Sequence, residues 1–211
     1  MNTFDPFIYA AASILFEGRT SLEGSLPSYN SISIEIFDER SYTVNAKATK
    51  LTSRKMTEFL VRCLAKNEID CQDHKVIVAS LILFQQSLPN ADIREINEYS
   101  WRLLLFFCLL RAQKIHGVVH GLSKDNAPKI LGMDGLNKNI RIGRDMLGCM
   151  EETIMSMVGE FQISDMLRKD FMANVQRAYD FEFGNSDCHE SFRVSQEDLD
   201  DDDDVSKTVC S

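Results

Sequence analysis

The sequence is poor in the residues that interrupt regular structure and in positive charge. Its 211 residues include only 4 prolines and 10 glycines, too few for a low-complexity or collagen-like chain. Only 23 lysines and arginines stand against 32 aspartates and glutamates, a formal net charge of −9. Because proteins that bind nucleic acid usually neutralise its phosphates with a basic face, this balance argues against that function.

No apolar stretch is long enough to cross a membrane. The longest one runs from Leu103 to Leu110, whereas a membrane helix needs about 20 apolar residues. The first residues show neither a basic start nor the pattern of a signal peptide. We therefore expect an intracellular protein, cytoplasmic or nuclear, without a membrane segment. The 6 cysteines are then more typical of buried thiols than of a disulfide framework.

The sequence patterns of catalytic and metal sites are also missing. The segment 132–135 contains two glycines but lacks the lysine of a phosphate-binding loop. Cys71 with His74, and His116 with His120, have the spacing of metal ligands. A zinc site usually needs four ligands, however, and no second pair completes either fragment. We predict that the protein is not an enzyme and holds no metal or cofactor, which makes a small helical enzyme the least favoured reading.

From residue 51 onwards the spacing of apolar residues predicts one helix after another. Ser53 can cap a helix whose apolar residues recur every three to four positions, namely Met56, Phe59, Leu60, Cys63 and Leu64. The segments 76–84 and 103–110 are apolar nearly all round, so each must be surrounded by other elements. A short helix fits between Asp125 and Leu131, and two more follow, at about 141–158 and after Ser164. This pattern predicts an all-α bundle with a buried centre.

The two ends of the chain differ from this helical part. Near the N-terminus, 7–16 fits a short amphipathic helix, and the alternation in 31–36 followed by 42–44 favours a small hairpin. From residue 184 onwards nine acidic residues, including five consecutive aspartates, stand against two basic ones. Such a segment repels itself and offers nothing to bury, which predicts a disordered acidic tail. We therefore divide the chain into an N-terminal extension (1–50), a helical domain (51–183) and a tail (184–211).

Three helical segments share the features of one known family. The apolar run 76–88 ends in a leucine, and the next helix ends with the small residue Ala112 followed, after one residue, by Lys114. A later helix carries Glu152, then an apolar ladder, then the acidic-aromatic pair at 160–161. With these features the stretch from about Ser53 to Phe171 resembles a cyclin box, particularly that of the single-box phosphate-signalling and P/U-type cyclins.

The resemblance implies a five-helix bundle whose third helix is buried at the centre. It also implies a regulatory subunit that binds and activates a cyclin-dependent protein kinase. In cyclins a lysine of the third helix and a glutamate of the fifth face the kinase and hold its regulatory helix. The resemblance assigns these roles to Lys114 and Glu152, with Glu151 in place of Glu152 if the register shifts by one.

A second hypothesis fits the same helices. A non-catalytic all-α adaptor or scaffold without a kinase partner would show the same core and the same lack of catalytic patterns. An exposed apolar patch around Lys114 and Glu152 would favour the kinase regulator, because such patches mark interaction sites. A charged surface without apolar residues there would favour the adaptor.

Overall fold

The computed structural model shows that the chain is helical. It describes residues 5–16, 35–43, 46–66, 74–88, 96–118, 122–132, 141–158 and 163–184. Across these ranges the chain forms seven α-helices and no β-strand: α1 (Pro6–Phe16), α2 (Ser53–Lys66), α3 (His74–Gln86), α4 (Trp101–Ile115), α5 (Ala127–Gly132), α6 (Arg144–Val158) and α7 (Asp165–Phe183). The predicted all-α class is therefore confirmed for the described part of the chain. Apart from Gly184, the predicted acidic tail lies outside the described residues.

Helices α3 and α4 form the buried centre. Every residue of α3 from Val76 to its end is buried, and so is every residue of α4 from Trp101 to Leu110. The two helices pack extensively against each other, while α3 also contacts α1 and α7, and α4 also contacts α5 and α6. A helix that is apolar on all sides gains free energy only when all its sides are covered, which is why these two lie in the middle.

Helix α1 belongs to the core although it lies in the predicted N-terminal extension. It packs against α2, α3 and α7, and its residues Ala10, Ala11 and Ala12 are fully buried. Small side chains let neighbouring helices approach closely on several sides of α1. The helix predicted at 7–16 is confirmed, but it is buried on most faces instead of amphipathic. The helical bundle therefore includes residues that precede position 51.

Residues 35–36 and 42–43 belong to the two strands of the predicted hairpin, and neither pair has strand conformation in the segment 35–43. It forms a turn and then a 3-10 turn at Glu39–Ser41, which Asp38 caps by accepting a hydrogen bond from the Arg40 N–H at 2.9 Å. The Tyr42 hydroxyl closes the segment by donating to the carbonyl of Ile36 at 2.7 Å. This part of the hairpin prediction is wrong, because local hydrogen bonds favour turns here. Residues 31–34 and 44 of that prediction lie outside the described residues.

The N-terminal strap, which we define as residues 35–43 and 46–52, is tied to the beginning of α4. Backbone N–H groups of Glu39 and Thr49 donate to the carbonyls of Tyr99 and Glu98, at 3.0 and 3.1 Å. The Trp101 indole donates to the carbonyl of Thr49 at 2.8 Å. These bonds attach the strap to the central helix over a long separation in sequence.

A buried ion pair completes this attachment. Arg102 Nε donates to Glu39 Oε1 at 2.9 Å, and a second guanidinium nitrogen donates to Glu39 Oε2. The two side chains are only 2% and 1% exposed. A further Arg102 nitrogen lies 3.5 Å from the carbonyl of Leu131, so the same arginine also reaches α5. The strap, α4 and α5 are thereby held together by one buried charged group.

Among the described helices, none is both long and apolar enough to cross a membrane.

Candidate partner-binding site

The site is built where α4 ends and the chain turns towards α6. Gly117 has a φ of 65°, a conformation that residues with a side chain rarely adopt. The Val118 N–H then donates to the carbonyl of Gln113 at 3.0 Å, and the Leu122 N–H donates to the side-chain oxygen of Gln113, also at 3.0 Å. Because Gln113 is only 2% exposed, both bonds fix the returning chain against the buried end of α4.

A short turn then brings a second lysine to α6. Ser123 begins the 3-10 turn Lys124–Asn126 by accepting a hydrogen bond from the Asp125 N–H at 3.3 Å. This turn packs against α6 and leads directly into α5, close to where the sequence predicts a short helix. The position of Lys124 is therefore set by the turn and by Gln113.

Lys114, Glu151 and Lys124 meet at this point, and we call them the charged triad. Lys114 Nζ donates to Glu151 Oε1, and Lys124 Nζ donates to Glu151 Oε2 at 3.2 Å. The side chains of Lys114 and Lys124 are 54% and 39% exposed, and that of Glu151 is 23% exposed. One carboxylate thus joins the end of α4, the 3-10 turn and α6 at a surface that solvent reaches.

The structure distinguishes between the two adjacent glutamates. It pairs Lys114 with Glu151, the residue expected if the register shifts by one, and leaves Glu152 on the exposed surface. Adjacent residues of an α-helix point about 100° apart, so two neighbouring glutamates cannot share one partner in the same way. Lys124 is a member of the triad that the sequence pattern misses, because nothing in its spacing from Lys114 or Glu151 shows that a turn brings it to them.

The electrostatics of the triad keep the Glu151 carboxylate charged. Partial burial raises the pKa of Glu151, but hydrogen bonds from Lys114 and Lys124, with the attraction of their charges, outweigh it. The net result is a pKa below the ordinary value for glutamate. The carboxylate is therefore ionised at neutral pH and holds both ammonium groups.

Two exposed apolar residues lie close in sequence to members of the triad. Ile115 follows Lys114 at the end of α4 and is 41% exposed, and Met155 is also 41% exposed. Met155 lies one helical turn after Glu151, so the two share a face of α6. The described residues contain only five exposed large hydrophobics, namely Ile115, Met146, Met155, Met166 and Phe181. Of these, Met155 shares a face of α6 with Glu151, and Ile115 is the residue that follows Lys114 at the end of α4.

The other candidate residues do not form a site in the described ranges. His74 stacks on the ring of Phe7, with ring centroids 3.9 Å apart, while its predicted companion Cys71 lies outside the described residues, as does His120. Among the described residues no group of three histidines, cysteines or carboxylates could hold a metal ion. The acidic-aromatic pair at 160–161 also lies outside the described residues.

Comparison of the chain with protein-family models, with curated proteins and with solved structures finds no match.

Proposed function

We propose that this protein is a cyclin-like regulatory subunit that binds and activates a cyclin-dependent protein kinase through the surface formed by α4 and α6. The observation that carries the proposal is the contact between Lys114 and Glu151. These residues are 37 positions apart in sequence. The resemblance to cyclins assigns Lys114 to a partner-binding surface together with Glu152, or with Glu151 if the register shifts by one, and the contact supports the second assignment. In this reading α2 to α6 correspond to the five helices of a cyclin box, with the buried α4 as the third.

The chemistry of the triad supports contact with a polypeptide backbone. Each ammonium group has three N–H donors, and a carboxylate has about four acceptor positions. The bonds from Lys114 and Lys124 to Glu151 use one donor of each lysine and one acceptor position on each oxygen. Donors for backbone carbonyls and acceptors for backbone N–H groups remain, so the triad can bind a helix end or a loop of the kinase.

The surroundings of the triad support the same proposal. Ile115 and Met155 can lose water-exposed apolar area when a partner helix docks, which supplies free energy that the polar contacts alone lack. The triad also sits on a rigid base, since α4 is buried along most of its length. A contact surface that is already ordered loses little conformational entropy on binding.

Activation follows if the contact favours one conformation of the kinase. A regulatory subunit that binds the active position of the kinase's mobile helix more tightly than the inactive one shifts the population towards activity. Coupling of this kind typically changes an equilibrium by about 5- to 150-fold.

The test is a phosphotransfer assay with purified components. The wild-type chain is added to purified monomeric cyclin-dependent kinases of the cell-cycle, phosphate-signalling and transcriptional classes, and phosphorylation of a substrate peptide is measured. We expect at least one kinase to be stimulated within the range given above. We expect Lys114→Glu and Glu151→Lys to abolish the stimulation, while each variant keeps the helical circular dichroism of the wild type.

Two matched variants control for general effects of charge. Lys55 and Glu58 form an exposed ion pair on α2, at 2.8 Å, so exchanging their charges changes the surface without touching the triad. Glu152→Lys makes the same change one position from Glu151. Both controls should stimulate the kinase as the wild type does. If the wild type neither stimulates nor binds any of the kinases, the proposal is wrong and the adaptor hypothesis is preferred. If Glu152→Lys removes activity and Glu151→Lys does not, the site assignment is wrong.

A further inference from the structure

We infer that Lys124 is a third partner-contacting residue of this site and that it binds an acidic side chain of the docking segment of the kinase. The inference rests on the proposed function and deepens it. The resemblance to cyclins supplies a lysine and a glutamate only, whereas the structure adds a second lysine from a separate turn.

The position of Lys124 is built into the fold. The buried Gln113 accepts a hydrogen bond from the Leu122 N–H at 3.0 Å, two residues before Lys124. Ser123 then caps the turn that contains Lys124. A lysine in an unrestrained loop would lose conformational freedom on binding, but this one is already held at α6 by its bond to Glu151. The structure thus presents Lys124 as a prepared contact.

The charge of the triad decides which chemistry it prefers. Two ammonium groups share one carboxylate, so the three residues carry a formal charge of +1 within a chain of net charge −9. Arg111 lies one helical turn before Lys114 on α4, whereas the exposed acidic residues Asp125 and Glu152 are the sequence neighbours of Lys124 and Glu151. Each lysine also keeps two N–H donors beyond its bond to Glu151. A partner group that offers only acceptors and a negative charge satisfies these donors best, and a carboxylate of an Asp or Glu side chain is that group.

The occupant is therefore an acidic position of the kinase segment that packs on Ile115 and Met155. The apolar residues supply area, and the positive triad selects the segment that places a carboxylate beside them. Charges at the rim of an interface mainly speed association and favour the correct partner. Lys124 is in this sense a specificity-determining residue, and its effect must depend on ionic strength.

The experiment measures the affinity of the full-length chain for the kinase that it stimulates in the assay above. Surface plasmon resonance at about 50 mM and about 200 mM salt compares the wild type with Lys124→Gln, Lys124→Glu and Lys124→Arg. Lys129→Gln is the matched control, because Lys129 is an exposed lysine of the adjacent helix α5. We expect Lys124→Gln to weaken binding about five-fold at low salt and less at high salt. The charge reversal should weaken it further, whereas Lys124→Arg and Lys129→Gln should bind like the wild type.

A double-mutant cycle separates direct contact from support of Glu151. If Lys124 touches the partner, Lys124→Gln still weakens binding in a Glu151→Gln background. If it has no further effect there, Lys124 acts only through Glu151 and the inference is wrong. Equal affinity of wild type and Lys124→Gln, or a loss that does not depend on salt, would also overturn it. Each of these results leaves the proposed function standing, whereas a wild type that binds no kinase removes both.

Discussion

The buried ion pair between Glu39 and Arg102 allows a quantitative test of how the strap is attached to the bundle. The substitution is Arg102→Met, which keeps much of the volume of the side chain and removes its charge. Glu39 then remains 1% exposed without the guanidinium that holds both of its oxygens. Breaking a buried pair from one side typically costs about 3–5 kcal/mol, since the remaining charge is buried without its partner. A domain of ordinary stability has only about 5–15 kcal/mol in total.

The loss of unfolding free energy comes from breaking the ion pair, and not from removing either residue as such. The double variant Glu39→Leu/Arg102→Met removes both charges, and such replacements are often neutral or stabilising. The hydrogen bond from Arg102 to the Leu131 carbonyl is lost as well, which costs about 1 kcal/mol. We therefore expect the free energy of unfolding of the double variant to be within about 2 kcal/mol of the wild-type value and well above that of Arg102→Met.

The assay is equilibrium unfolding in urea, followed by circular dichroism and extrapolated linearly to water. Glu39→Gln is a second single variant, which leaves the buried guanidinium charge opposite a neutral amide with one acceptor oxygen, so it should also lower the free energy of unfolding. The reasoning is refuted if Arg102→Met lowers the free energy of unfolding by less than about 1 kcal/mol. It is also refuted if the double variant loses as much free energy of unfolding as Arg102→Met does.

Three further predictions concern other parts of the molecule. Iodoacetamide should alkylate the exposed Cys149 of the folded protein, but it should reach Cys63 and Cys108 only after urea is added. Peptide mass spectrometry would show which thiols react. The reason is that burial raises the pKa of both buried thiols, that of Cys108 to about 12 despite its contact with Ser87. Ser164→Ala should lower the free energy of unfolding by about 1 kcal/mol, because the Ser164 hydroxyl caps α7 by accepting from the Leu167 N–H at 3.2 Å. Because the pKa of Glu151 is lowered in the folded state, its contribution to stability is present above the ordinary glutamate pKa of about 4.3 and is lost as the pH falls through the lower folded value. The difference in unfolding free energy between wild type and Glu151→Gln, measured at neutral pH and at about pH 3, should therefore shrink in acid.

Contradictory results for these three predictions are easily recognised. Alkylation of Cys108 at the rate of Cys149 in the folded protein would mean that the core opens readily. A Ser164→Ala variant as stable as the wild type would mean that water replaces the cap without cost. If the difference in unfolding free energy between wild type and Glu151→Gln grew in acid, the pKa of Glu151 would be raised in the folded state and not lowered.

The central helices of the fold could be predicted because their apolar residues require burial on every side. The runs that become α3 and α4 are apolar on every side, and a helix of that kind must be covered by others. The cap of α7 at Ser164 was predicted correctly. The predicted cap of α2 at Ser53 was wrong by one residue, because Ser53 is the first residue of the helix and the Thr52 hydroxyl accepts from the Lys55 N–H at 3.2 Å. The N-terminal helix was recognised as a helix but not as a part of the core. Its apolar residues show that the segment must be buried, but they do not show which other helices it packs against.

Contacts between distant segments were the part that the sequence could not supply. Glu39 is 63 positions from Arg102, and Lys114 is 37 positions from Glu151. The resemblance preferred Glu152 and gave Glu151 as the alternative, whereas the packing of α6 on α4 pairs Glu151 with Lys114. The hairpin prediction failed at residues 35–36 and 42–43, where local hydrogen bonds such as the one from the Tyr42 hydroxyl to the Ile36 carbonyl form turns instead of strands.

By itself, then, the sequence determined that the protein is helical, where most helices lie and which two are buried at the centre. These properties follow from local periodicity, which reports the faces of a helix that avoid water. Only the tertiary structure decided that α1 and the strap belong to the bundle, that Glu151 rather than Glu152 meets Lys114, and that Lys124 joins them. The reason is that a charge on a surface acquires its partner from the way helices pack, and that arrangement depends on the whole chain.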